Sequence, residues 1–185
     1  MKIPEISKGI DRVAIIGYAG SGKSTLARKL GAKMNAEVLH IDRAHWLSGW
    51  QERERAERDK IVKDFLDKNE RWVIDGTYSS LEPERRMAEA DLIIFMSFNR
   101  FSCLARAIRR KRAYKGKSRP SITEGCEERI NREFFWWLVW TGRSKKRREK
   151  YKKMIQGHEK KTIIVRNQRE LSRLEKHFSL PSGAN

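Results

Sequence analysis

Gly17-Tyr18-Ala19-Gly20-Ser21-Gly22-Lys23-Ser24-Thr25 sets glycine, lysine and hydroxyl residues at the G-x-x-x-x-G-K-[ST] spacing. That spacing suits a polyphosphate. Glycines let the backbone wrap a phosphate and aim successive N–H groups at its oxygens. The first turn of a following helix adds unfilled donors and the positive end of its dipole. Lys23 then reaches the β- and γ-phosphates, and Ser24 offers a hydroxyl to Mg²⁺. The flanks agree, with apolar Val13-Ala14-Ile15-Ile16 before the loop and the helical pattern Leu26-Ala27-Arg28-Lys29-Leu30 after it. Gly17, Gly20, Ser21, Gly22, Lys23, Ser24 and Thr25 are therefore expected to hold ATP, with Mg²⁺ as its companion.

Two carboxylates close apolar runs. Asp75 ends Trp72-Val73-Ile74 at the carboxyl end of an expected strand, where ligands collect in open α/β sheets. An acid there orients Mg²⁺ together with Ser24. Asp42 ends Val38-Leu39-His40-Ile41 in the same way and is placed to accept a proton from an acceptor hydroxyl. His40, two residues earlier, is expected on the same strand face as Asp42, where it could contact the acceptor or be a packed or capping histidine. Trp46 and Trp50 follow and could wall an acceptor pocket or anchor the next helix.

The elements that must position these groups alternate short apolar runs with longer amphipathic ones, as in a parallel sheet wrapped by helices. Strands are expected at 12–16, 37–41, 72–75, 92–96 and 162–166. Helices are expected at 23–34, 51–68, 80–89, 99–114, 126–141, 143–156 and 167–178. Asn99, Ser121 and Asn167 suit caps or turns, and the chain ends, with 179–185, are expected to be loose. At 185 residues one domain with a real core is expected, carrying a lid near 106–145. Lys115-Gly116-Lys117-Ser118-Arg119-Pro120-Ser121 reads as a lid loop. The aromatic run Phe134-Phe135-Trp136-Trp137-Leu138-Val139-Trp140 reads mainly as lid-to-core packing.

Hydrophobic residues make up 38% and charged residues 36%, and no apolar run reaches membrane-spanning length. Cys103 and Cys126 lack metal spacing and read as free thiols, so a cytoplasmic setting is expected. The net charge of +18 is uneven. Residues 100–160 hold 20 Lys/Arg against six Glu, a net of +14, leaving about +4 elsewhere. Such a field draws polyanions, either nucleotide phosphates or nucleic acid.

Taken together, these residues resemble the adenylate-kinase-like group of P-loop kinases, and among them the DNA topology modulation (FlaR-related) family. The likeness rests on the phosphate loop, His40-Ile41-Asp42 with Trp46 and Gly49-Trp50, and Trp72 through Tyr78. It extends to Arg119-Pro120, Glu124-Gly125-Cys126, and the terminal strand with Arg166 to Leu171. The resemblance implies a three-layer α/β/α fold whose five-stranded parallel sheet runs 2-3-1-4-5. It further implies a basic lid in which Arg106, Arg109 and Arg110 face transferring phosphate, with Arg166 and Asn167 near the adenine. Tyr78 and Arg85 join His40, Asp42, Trp46 and Trp50 as acceptor-side candidates. Nucleoside monophosphate kinases carry an arginine where this chain has Ser79, and Arg85 or Arg86 is the candidate replacement.

Two functions are compatible with these residues. One is a kinase moving the ATP γ-phosphate to a small molecule or nucleotide. The other is a nucleotide-dependent nucleic-acid regulator or end kinase using segment 100–160.

Overall fold

The computed structural model describes residues 9–128 and 130–181. Five strands form one parallel sheet: β1 (Arg12–Gly17), β2 (Glu37–His40), β3 (Trp72–Asp75), β4 (Leu92–Met96) and β5 (Thr162–Val165). Their order is β2-β3-β1-β4-β5, the 2-3-1-4-5 arrangement expected for a P-loop kinase fold. The register sets Ala14 beside Ile74 and Ile93, and Phe95 beside Ile164.

β1, β3 and β4 are buried along nearly their whole length because helices cover both faces. Side chains alternate across a strand, so β1 divides its apolar residues between two cores. Val13 and Ile15 join Leu26, Leu30, Ile94, Cys103, Leu171 and Leu174 on one face. Ala14 and Ile16 join Ile41, Val62, Leu66, Trp72, Met87 and Tyr151 on the other.

The helices are α1 (Lys23–Met34), α2 (Ile41–His45), α3 (Arg55–Lys68), α4 (Pro83–Glu89), α5 (Arg100–Ala113), α6 (Arg132–Val139), α7 (Lys145–Ile155) and α8 (Gln168–His177). Asn99 and Asn167 cap α5 and α8, accepting from the amides of Ser102 and Glu170 at 2.8 and 2.9 Å. Asn131 and Ser144 cap α6 and α7, which the sequence reading did not assign. Ser121 is a buried turn residue.

Several boundaries differ from expectation. β2 stops at His40, and a five-residue helix takes Ile41 to His45. The helix expected from 51 begins at Arg55, because Trp46–Leu47 and Gln51–Glu52 pair as a small antiparallel ladder. The helix expected from 126 begins at Arg132, since residues 119–128 are drawn onto the segment after α2. Leu180 is buried against the core, so 179–181 is not a loose end. The other expected loose residues, 1–8 and 182–185, lie outside those described. Cys103 and Cys126 are free and buried, as expected. Among the described residues no helix is long and apolar enough to cross a membrane.

Arg86 is the largest charged group in the core, 1% exposed. Its guanidinium donates to the carbonyls of Gly76 (3.2 Å), Tyr78 (2.6 Å) and Glu82 (3.3 Å), pinning the chain that leaves β3. Burial lowers its pKa to about 10. Arg86→Met is expected to cost about 2–4 kcal/mol in urea unfolding, because those buried carbonyls lose their partners. A loss within experimental error in that titration would show that they find other donors.

Candidate active site

The phosphate loop joins β1 to α1 under several constraints. Gly20 sits at φ +74°, and a Cβ there would lie 2.4 Å from the Cys103 carbonyl oxygen. Gly22, at φ +98°, precedes α1 without any side-chain cap. The first-turn donors of α1 are thus left for a ligand, which is the chemistry an anion needs. Thr77 and Tyr151 fix the start of the loop, each hydroxyl donating to the Gly17 carbonyl at 3.1 Å. Lys23 Nζ donates to the Tyr18 carbonyl at 3.0 Å, and burial pushes its pKa down. A desolvated cation held by one carbonyl is suited to take a phosphate oxygen.

Ser24 Oγ donates to Asp75 Oδ2 at 2.7 Å, so the expected metal pair meets in space. His40 Nδ1 donates to the other Asp75 oxygen. His40 and Asp75 are both buried. This donor set fits Mg²⁺, which binds through one or two protein oxygens while phosphates and waters complete its shell. Among the described residues no cluster of three or more His, Cys, Asp or Glu offers a closed metal cage.

Asp42 stands in the first turn of α2. Tyr78 Oη donates to its Oδ1 at 3.0 Å, and Arg119 Nη2 to its Oδ2 at 2.9 Å. Arg119 also meets Glu128 at 2.9 Å, and Arg110 meets the same carboxylate at 3.0 Å. Burial, then the Asp42 charge, raises the Tyr78 pKa, so the phenol remains a donor. The rings of His45 and Tyr78 lie 4.5 Å apart, and those of Trp46 and Trp50 lie 5.6 Å apart. Burial, followed by Arg58, lowers the His45 pKa and keeps that wall neutral.

Residues 119–128 close one side of this pocket. Thr123 Oγ1 donates to the Trp46 carbonyl at 2.5 Å, and Trp50 Nε1 to the Glu127 carbonyl at 3.1 Å. Gly125, at φ +82°, lies so near Ser48 that a Cβ would fall 2.0 Å from its Oγ.

Phosphate loop, Asp75, Asp42, Trp46, Trp50 and Tyr78 all line one cleft of about 980 Å³. Arg106, Arg109 and Arg110 line it too, but they are engaged differently. Arg106 donates to the Ser21 carbonyl at 2.6 Å and also to Gln168, bracing the loop against α8. Arg110 is tied to Glu128, which leaves Arg109 exposed and without a carboxylate partner among the described residues.

Four sequence expectations need correction. His40 lies behind Asp75 and outside the cleft lining, because the strand ends before Asp42 and the alternation argument fails there. Arg85 pairs with Asp67 and Glu89, each through a contact under 3 Å, away from the cleft. Arg166 and Asn167 also lie outside the lining: Asn167 caps α8, while the Arg166 amide donates to Glu170. Gln168 faces the cleft in their place. Ser21 turns its hydroxyl into the protein, which leaves its backbone for the loop.

Residues of the cleft that the sequence did not assign to the site include Arg119, Glu128, Thr77, Arg147, Lys150 and Tyr151. Arg119-Pro120 had marked the first of these within a motif. The expected aromatic packing is split: Phe134 and Trp137 stack at 5.8 Å and line the cleft, whereas Trp136 and Trp140 are more than half exposed.

No curated protein matches the chain in sequence. Solved structures to which the chain is similar include Acinetobacter baumannii shikimate kinase in complex with shikimate (15% identity, 92% of this chain and 94% of that one, TM-score 0.47). Another is deoxyadenosine kinase from M. mycoides with bound dATP (12% identity, 91% and 99%, TM-score 0.49). A third is a gluconokinase from Sinorhizobium meliloti 1021 (14% identity, 94% and 98%, TM-score 0.45). The AAA domain family (AAA_18) matches residues 13–130, from β1 through the segment that covers Asp42. The chain, with its phosphate loop opening on a parallel five-stranded sheet, belongs to that family.

Proposed function

We propose that this protein is an ATP-dependent kinase that transfers the γ-phosphate to the hydroxyl of a small acceptor. The observation that carries the reading is one cleft holding both a phosphate loop and a fixed carboxylate. Lys23 and the Ser24–Asp75 pair open onto it, as does Asp42, oriented by Tyr78 and Arg119.

Each group then has a task. The backbone donors of residues 20–24 and Lys23 hold the phosphates in place. Ser24 and Asp75 would hold Mg²⁺, which supplies charge neutralisation for the phosphate oxygens. Asp42 accepts the acceptor's proton at a carboxylate oxygen, and Arg119 keeps that oxygen aimed. Arg109, the lid arginine without a carboxylate partner, offsets charge on the transferring group. Residues 119–128 keep water from competing as acceptor.

Incubation with Mg-ATP and pooled metabolites, nucleotides and oligonucleotide ends tests the reading. One small hydroxylated species gaining phosphate is expected, and no phosphorylated product in any pool would end it. Asp75→Asn should lower turnover about a hundredfold while ATP affinity moves less than about threefold, since backbone donors still hold the phosphates. Equal losses in both would make Asp75 a structural residue.

The finer resemblance to FlaR-related topology modulation proteins, and with it a second reading, is supported by the surface of α6. Trp136 and Trp140 are exposed, as is Phe101 on α5, and Arg100 lies over the Trp140 ring at 5.5 Å. Exposed aromatics in a basic field suit single-stranded nucleic acid. Binding that weakens steeply with salt, without phosphate transfer, would favour it over the kinase. We place the protein in the cytoplasm on its free thiols and proposed use of ATP.

A further inference from the structure

His40 is buried and lies outside the cleft, and none of the steps proposed above uses it. Its place in the sheet still brings its side chain to the site. His40 is the last residue of β2 and Asp75 the last of β3, and the two are register partners on neighbouring parallel strands. Register partners project to the same face of a sheet, so imidazole and carboxylate stand side by side at its carboxyl end.

The backbone beyond Asp75 is fixed as well. Gly76 passes so close to the start of α2 that a Cβ on it would fall 2.6 Å from Ile41 Cβ. Its amide donates to the Ile15 carbonyl at 3.1 Å, and its carbonyl accepts from Arg86 at 3.2 Å. What the backbone does not settle is rotation of the Asp75 carboxylate about its last side-chain bond, a broad torsion in this residue type. The Ser24 hydroxyl rotates and can follow either oxygen. The His40 ring is planar and donates in a fixed direction. An ionised carboxylate only accepts, so Nδ1 carries the proton in this contact. It takes Oδ1 and leaves Oδ2 turned to Ser24.

We propose that His40 is a positioning residue for the metal carboxylate. By holding Asp75 Oδ1 it keeps Oδ2 aimed at Ser24 and at the Mg²⁺ which that pair would bind. This rests on the metal role given above to Ser24 and Asp75, and adds a residue behind the site. Groups behind a metal ligand fix its orientation, and losing one costs about ten- to a hundredfold in metal affinity or activity.

The test follows Mn²⁺, a paramagnetic stand-in for Mg²⁺, in the full chain loaded with a non-hydrolysable ATP analogue. Asp75→Asn should alter the Mn²⁺ resonance spectrum. His40→Leu, which keeps bulk but no donor, should alter it in the same direction. His40→Asn should restore the spectrum, because its amide nitrogen falls where Nδ1 stood. His40→Gln sets its amide further out and should resemble His40→Leu. ATP turnover should drop about ten- to a hundredfold in the Leu and Gln variants and recover to within about threefold in His40→Asn. The contrast between Asn and Gln carries the test if His40→Leu does not fold.

A spectrum unchanged in the Leu and Gln variants, while Asp75→Asn alters it, would overturn the positioning role and leave the kinase reading as it stands. Equal changes in the Asn and Gln variants would make His40 a packing residue and overturn it too. A spectrum indifferent to Asp75→Asn would remove the metal role of Asp75, and the proposal with it. The spectra need no acceptor. The expected pattern, with no phosphate transferred in any pool, would keep the positioning role and sink the kinase.

Discussion

Lys23→Ala is expected to reduce ATP turnover about a thousandfold or more, the scale seen when one fixed donor to developing charge is removed. That is roughly 4 kcal/mol of transition-state stabilisation, at 1.36 kcal/mol per factor of ten. Stability should move the other way or not at all. Among the described residues Lys23 donates only to the Tyr18 carbonyl, and burial disfavours its charge. Removing it therefore relieves a desolvation cost in the ligand-free protein. A thermal melt unchanged or raised, alongside lost turnover, is the expected pair of results. Turnover within tenfold of the starting protein would remove the centre of the kinase assignment.

Asp42→Asn is the second large effect. Asparagine matches the carboxylate in shape and still accepts from Tyr78, but it cannot take a proton from an acceptor. A loss of about 10²–10⁴ in kcat for phosphate transfer is expected from losing a general base. The KM for ATP should shift less than about threefold, since the phosphates are held by the loop. Steady-state kinetics with the acceptor found in the metabolite pool measures both. If kcat holds and only the acceptor KM rises, Asp42 binds the acceptor without taking its proton.

The phosphate loop was legible because its chemistry is contiguous: nine neighbouring residues carry spacing, glycines and cation together. The inner strands β1, β3 and β4 were legible because burial on both faces writes unbroken apolar runs, while the half-buried edge strands β2 and β5 showed as shorter ones. His40 was misplaced because alternation was carried through Asp42, while the backbone turns helical at Ile41. Arg86 looks like one more surface charge in Glu84-Arg85-Arg86, and nothing local says that it points inward at three carbonyls. Arg147 and Lys150 sit in Lys145-Lys146-Arg147-Arg148-Glu149-Lys150, where each cation resembles its neighbours. Only the packing of α7 against the loop distinguishes these two. Arg119 could be noticed as part of a motif, but its role depends on Asp42, 77 positions away in the chain.

The bond from Arg119 to Asp42 has a consequence for the order of events on the proposed kinase pathway. The carboxylate that would take the acceptor's proton is aimed by a side chain belonging to the cover, residues 119–128, and not to the floor on which the acceptor rests. Covering the acceptor and arming the base are then a single event. An uncovered site would hold ATP beside a misaligned base, so the nucleotide would be protected from hydrolysis by an interlock that releases only when the correct acceptor is enclosed.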